Sequence, residues 1–527
     1  MSGWNWAICP THAMRPGSPI RGSAMPWPTD WPQGSSRTSL PIRMRPQRPN
    51  DESRARCDTY EQSQSPDPAP HRPSPRFCVN PTLWGSIGLM TDAHGNRLDP
   101  WVDAYATRAR GMTASEIRAL FAVASRPEVV SLAGGMPYVS ALNLDAMADT
   151  ISDLVRTRGT QALQYGSGQG DAVLREQIGE VMAEVGITGH PDDIVVTTGS
   201  QMALDLVTRV FCDPGDVVFV EAPSYVGALG VFRSYECTVI HVAMDDEGLQ
   251  PVALAEAIGR ARAQGLRPKM IYTIPSFHNP GGITQGPQRR RDILDIAQRE
   301  GLLLLEDDPY GLLGFDDVGF GDAPPRAIRA DDADGVVYLG SFSKTIASGL
   351  RVGWALAPHG VREKLVLAAE AAVLCPSNYA QMTISSYLAT QPWREQVKVF
   401  RETYRERRDA LLDELTRQMP EGTTWTHPAG GFYSWLTLPE GLDATAMLPR
   451  AVAALVAYVP GTGFYVDGSG RQHMRLSYCY PEPERIREGV RRLAGVIETE
   501  MELAATFGTG HTLHNPAGPS TPTPDQA

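Results

Sequence analysis

Lysine is almost missing from this chain: it has four, Lys269, Lys344, Lys364 and Lys398, against forty-four arginines. Wherever any cation would do, arginine is used, and Lys344 sits where arginine could not act, at a task that needs an amine able to lose its proton. Cysteine is also scarce. Seven in 527 residues (Cys9, Cys57, Cys78, Cys212, Cys237, Cys375 and Cys479), without close pairing or metal-ligand spacing, exclude a disulfide framework and a cysteine zinc site, and predict the reduced thiols of a cytoplasmic protein. No excess of positive charge is present: the net charge is −12 and the pI about 5.5, which argues against nucleic acid as a partner of the folded body and favours a small metabolite. No apolar run approaches about 18 residues and the N-terminus lacks a secretory core, so neither a membrane span nor export is expected. The Gly-x-x-x-x-Gly-Lys-Ser/Thr loop is absent too, which argues against a nucleoside triphosphate.

What is present is enough apolar sequence, 42% of the chain, for two cores. Residues 1–95 are rich in Pro, Arg and Ser, show no apolar period and read as a disordered extension. Met90 opens globular composition and would serve as a start of translation, in which case residues 1–89 are not made. Residues 96–145 read as an arm and substrate-lining segment, 146–390 as a large domain, 391–505 as a small C-terminal domain, and 506–527 as a loose tail. The large domain alternates strands (Ile194–Thr198, Val217–Val220, Thr238–Val242, Met270–Ile274, Leu302–Glu306, Val336–Leu339 and Arg351–Leu356) with helices such as Met202–Phe211 and Gln288–Arg299. That alternation predicts an α/β fold with a mostly parallel sheet flanked by helices. The pattern after Pro392 predicts a smaller α+β domain with strands near Thr424–Thr426, Phe432–Leu438 and Met474–Ser477.

Ser341-Phe342-Ser343-Lys344 sets a lysine among hydroxyls, and Arg351 follows about two helical turns on. This is the equipment for holding an aldehyde cofactor by its phosphate while an amine condenses with it. Thr197-Thr198-Gly199-Ser200-Gln201 runs from strand to helix, where the N–H groups of Ser200 and Gln201 make an anion site that Ser341, Ser343 and Arg351 would complete. Arg351 as a structural ion pair is the alternative. Asp307 and Tyr310, in Glu306-Asp307-Asp308-Pro309-Tyr310, stand at a buried strand's carboxyl end, where α/β sheets bind ligands; Asp307 could hold a ring nitrogen protonated or cap a helix. Asn279, in His278-Asn279-Pro280-Gly281-Gly282, offers an uncharged hydrogen bond to an anionic oxygen. His278 reads as a loop or packing histidine. Tyr225, in Glu221-Ala222-Pro223-Ser224-Tyr225, could stack on a flat ring or pack in the core. Arg475 sits in an apolar strand and needs a carboxylate from the protein or from a substrate.

Together with Ser131-Leu132-Ala133-Gly134-Gly135-Met136-Pro137 and Leu163-Gln164-Tyr165-Gly166, these motifs resemble the fold-type I pyridoxal-phosphate enzymes over about residues 100–500. Within them the chain resembles the class I/II aminotransferases, and there the aminoadipate (LysN-type) and kynurenine aminotransferase branch. The resemblance implies that Lys344 forms the internal aldimine and shuttles the proton. It implies that Asp307 holds the pyridinium, that Tyr310 and Asn279 bind the phenolate, and that Tyr225 stacks on the ring. Ser200, Gln201, Ser341, Ser343 and Arg351 would bind the phosphate, with Tyr165 reaching it from the second subunit of a homodimer. Arg475, Asn279 and the Gly135 backbone would grip the substrate carboxylate. The activity implied is transfer of an amino group from an L-amino acid to a 2-oxo acid, with 2-oxoglutarate the general acceptor. A lyase or decarboxylase on the same fold remains open, as does a cofactor-sensing regulator. After Pro137 the chain departs from the branch, continuing Tyr138-Val139-Ser140-Ala141-Leu142-Asn143, so the donor amino acid is open. Arg118 matches a position near the substrate side chain in some relatives, or is a surface helix arginine.

Overall fold

Strand β3 (Asp216–Ala222) shows how the centre of the molecule is built; β1 (Val130–Ser131) and β2 (Ile194–Thr197) precede it. Val217 and Phe219 pack against helices Pro251–Ala263 and Pro287–Glu300, while Val218 and Val220 pack against Ser200–Phe211 and Val226–Ser234. A strand covered on both faces has no reason to alternate apolar with polar, so it reads as a continuous apolar run. Each such side chain contributes roughly 1.5–3 kcal/mol on burial.

The computed structural model describes residues 101–110, 112, 126–316 and 324–507. The further strands are β4 (Thr238–Asp245), β5 (Gly248–Leu249), β6 (Arg267–Thr273), β7 (Leu303–Asp307), β8 (Val336–Ser341), β9 (Gly353–Leu356), β10 (Thr424–Trp425), β11 (Tyr433–Thr437), β12 (Val456–Ala457), β13 (Val459–Pro460) and β14 (His473–Ser477). Eight form one sheet in the order β2-β9-β8-β7-β6-β3-β4-β5. Strands β8, β7, β6, β3 and β4 pair in parallel, as expected, while β9 runs antiparallel to both neighbours and β5 turns back on β4. The C-terminal domain holds an antiparallel sheet, β10-β11-β14-β13, and the long helices Trp393–Gln418 and Pro483–Phe507, which pack on each other.

Three details differ from expectation. Strand β9 starts at Gly353, not Arg351, because Arg351 is left-handed (φ 53°) and cannot join the ladder. The last helix reaches Phe507, beyond the expected boundary at 506. Val130 and Ser131 pair in parallel with Val456 and Ala457, which ties the arm segment to the C-terminal domain. The extension 1–95, Arg118 and the tail past Phe507 lie outside the described residues. Among the described residues no helix is long and apolar enough to cross a membrane.

Candidate active site

Because β3, β6, β7 and β8 are parallel, their carboxyl ends share one edge of the sheet, and the residues that leave this edge carry the polar chemistry. Asp307 ends β7, Ser341 ends β8, Tyr225 follows β3 and Asn279 follows β6. Antiparallel β9 brings its beginning, not its end, to the same edge: Gly353 pairs with both Thr197 and Ser341. This register sets Arg351 beside Ser343 and beside Gly199, which opens the helix Ser200–Phe211.

At that helix start Gly199 has φ 77°, and a Cβ there would lie 2.5 Å from Arg351 Nη2, so only glycine fits. Arg351 Nη1 donates to Ser343 Oγ (3.4 Å), and Ser343 N–H donates to Ser341 Oγ (3.1 Å). No carboxylate pairs with Arg351 among the described residues, so the ion-pair alternative finds no partner. Gln201 is partly committed: its side chain accepts from the Tyr225 hydroxyl (3.1 Å) and donates to Gly227 O (3.0 Å). Its backbone N–H is what remains for an anion, beside that of Ser200. Burial pushes the Tyr225 hydroxyl up to about 12, so it stays a neutral donor.

Lys344 Nζ donates to Gly135 O at 2.8 Å and lies 5.3 Å from the centre of the Phe432 ring and 6.0 Å from that of Tyr310. Desolvation lowers its pKa to about 8; Arg475 and Arg351 push the same way, and Cys479 opposes them. Asp307 is buried, and its Oδ2 accepts from the Tyr272 hydroxyl at 2.7 Å while Oδ1 has no partner. Burial raises its pKa to about 7, against the pull of Tyr272 and with a push from Asp308 and Glu221. Residues 308–316, which follow β7, form turns and no helix, so Asp307 is not a cap. Tyr310 is buried edge-on to Phe432 and Tyr433.

Arg475, 2% exposed, donates to Asn279 Oδ1 (2.9 Å) and Ala133 O (2.8 Å) and lies 4.1 Å over the Tyr433 ring; its Nε has no partner. All of these partners are neutral, and no protein carboxylate among the described residues meets it. A dry guanidinium in that condition is a receptor for an anion. Of the residues singled out in the sequence, the structure brings together Lys344, Asp307, Tyr310, Asn279, Tyr225, Ser200, Gln201, Ser341, Ser343, Arg351, Gly135 and Arg475. Tyr165 stands apart, 77% exposed.

Sequence reasoning missed Tyr433, Tyr272 and Glu221. Tyr433 sits under the Arg475 guanidinium, and its hydroxyl would collide with a Cβ at residue 135. Tyr272 had a signal: a tyrosine inside a buried apolar strand usually has a partner for its hydroxyl. Glu221 stood in a noted motif without a task.

The pattern of the family "Aminotransferase class I and II" matches residues 127–493. The chain is 40% identical over 401 residues to aromatic-amino-acid aminotransferase 1 of Thermococcus litoralis, covering 76% of this chain and 95% of that one. It is 38% identical over 406 residues to 2-aminoadipate transaminase of Thermus thermophilus, covering 76% and 98%. Among solved structures, the kynurenine aminotransferase of Pyrococcus horikoshii, in complex with PMP and KYN as substrates and KYA as products, matches with a TM-score of 0.73 at 37% identity, covering 77% of this chain and 99% of that one. The chain belongs to the class I and II aminotransferases.

Proposed function

We propose that the protein is a pyridoxal-phosphate-dependent aminotransferase, carrying an amino group from an L-amino acid to a 2-oxo acid, with 2-oxoglutarate the general acceptor and the cytoplasm its compartment. The observation that carries the reading is the meeting of a desolvated lysine and a buried carboxylate oxygen without a partner, at one edge of the large sheet, with a buried arginine without a counter-ion from the small sheet. When bound, pyridoxal phosphate supplies an electron sink for the bonds of an amino acid's α-carbon.

The residues fit that group. Lys344, neutral above about pH 8, is the amine that would hold its aldehyde and pass a proton. Asp307 Oδ1 awaits a donor, as a ring N–H would be, and a cation there would return the carboxyl to its charged form. The Asn279 amide has its oxygen on Arg475, which leaves its N–H₂ for the phenolate beside Tyr310, or for the substrate carboxylate. Tyr225 would lie on the ring, tethered by Gln201. The N–H groups of Ser200 and Gln201, the hydroxyls of Ser341 and Ser343, and Arg351 would hold the phosphate. Arg475 and the Gly135 N–H would hold the substrate carboxylate, since Gly135 O is taken by Lys344. In this reading residues 146–390 hold the cofactor, 96–145 line the substrate pocket, and the small domain, 391–505, contributes Arg475. Tyr165, exposed beside Leu163, would serve the phosphate site of a second copy in a homodimer.

The test is a product balance. Purified protein given one amino acid and 2-oxoglutarate should form keto acid and glutamate one for one. Keto acid, amine or ammonia without glutamate would replace the reading with a lyase or decarboxylase, and cofactor binding without turnover of any amino acid with a sensor.

A further inference from the structure

Behind Asn279 lies a buried acid–imidazole pair that no step above uses. Glu221, near the end of β3, is fully buried with both oxygens engaged. Its Oε1 accepts from Thr273 Oγ1 (2.7 Å) and Gln285 Nε2 (3.0 Å); its Oε2 accepts from Ile274 N–H (2.9 Å) and lies 3.1 Å from His278 Nε2. These partners bracket one loop: Thr273 and Ile274 lead into it, Gln285 leaves it, and His278 sits next to Asn279. His278 is 1% exposed, and its Nδ1 accepts from Gly281 N–H at 3.0 Å, which puts the ring proton on Nε2, towards Glu221. The approach to Oε2 is off the straight hydrogen-bond axis, so that contact is chiefly electrostatic. The His278 backbone closes the same turn, its N–H donating to Ile283 O (2.8 Å) and its O accepting from Gly282 N–H (2.6 Å). One residue on, Asn279 Oδ1 meets Arg475 Nη1.

A buried carboxylate is costly to keep, and closing a loop does not require one. We propose that Glu221 and His278 are positioning residues: the carboxylate fixes His278, and through it the Asn279 turn, in register with Arg475, so that the pair sets the affinity for the substrate carboxylate. This rests on the reading of Asn279 and Arg475 as the carboxylate site, and it extends that site to two residues that touch neither substrate nor cofactor.

The test uses protein reconstituted with pyridoxal phosphate and titrated calorimetrically with 3-phenylpropanoate and with glutarate, carboxylates that lack an amine and cannot react. Glu221→Ala and His278→Phe should weaken binding about tenfold and raise KM alike, with kcat within about threefold of wild type, the size expected when one charge-assisted contact is mis-set. Glu221→Gln keeps the loop ends, because its amide oxygen can serve Ile274 and the Gln285 Oε1, which has no partner, can turn to its N–H₂, but it loses the charge facing His278, so it should weaken binding by the same factor of about ten. If Glu221→Ala does not fold, His278→Phe and Glu221→Gln decide. Variants that melt earlier yet bind both carboxylates like wild type would overturn the proposal and leave the pair a structural one. Wild-type protein that binds neither carboxylate would overturn the carboxylate site itself, and this proposal with it.

Discussion

The two sheets that meet at Asn279 and Arg475 deliver their side chains in different ways. In the large sheet, Asp307, Ser341, Lys344, Asn279 and Tyr225 lie at or just past the carboxyl ends of buried strands, where the chain leaves the ladder and polar groups cost little to place. In the small sheet, Tyr433 and Arg475 lie within paired strands, on the face turned to the site, and Arg475 is held by stacking on Tyr433 and by neutral acceptors. In the function proposed, the first wall would serve bond chemistry and the second would grip the substrate. Strand ends can change residue without disturbing the core, whereas a buried arginine in mid-strand is costly until an anion meets it.

If that division is right, variants of the two walls should separate kinetically. The largest loss belongs to Lys344→Ala: turnover by the product balance should fall by at least about 10³-fold, as removal of a nucleophilic amine does. Asp307→Asn should lower kcat by about 10²-fold with KM little changed, since it acts on charge developing during reaction. Arg475→Leu should instead raise KM by about 10²-fold, the worth of two charge-assisted hydrogen bonds. Should both fall on kcat alone, the division is wrong. Gly135→Ala should cost about tenfold, because the added methyl meets the Tyr433 hydroxyl, and Tyr433→Phe in the same chain should recover part of the loss.

The smallest effect is a pH dependence. Lys344 in the folded protein titrates near 8 against an ordinary 10.5, so the unfolded chain keeps a proton that the cofactor-free folded one has lost between those values. Stability of the cofactor-free protein should therefore rise with pH across that window, and the rate of covalent cofactor uptake should climb with a midpoint near 8. A midpoint near 10 would place Lys344 in water, outside the site.

Much of the first wall was legible in the sequence because strand ends carry local signals: Lys344 among hydroxyls, Asp307 after an apolar run, Asn279 before Pro-Gly-Gly. Arg475 was legible for the opposite reason, as a charge in an apolar strand. Tyr433 was not, since an aromatic residue in a strand reads as core until its neighbours are known. The Glu221–His278 pair was hidden because its members lie on different strands' exits and only the fold makes them partners. The pairing of β1 with β12 was illegible too: two-residue strands carry no period. The start of β9 was misplaced because nothing local announces a left-handed arginine.

The central claim is that Lys344 is the amine that holds the cofactor, and four lysines make it easy to test. Borohydride treatment of the purified, pyridoxal-phosphate-loaded protein, followed by peptide mass spectrometry, should find the phosphopyridoxyl mass on Lys344 alone, and none in Lys344→Ala. The same mass on Lys269, Lys364 or Lys398, or on no lysine, would contradict the account.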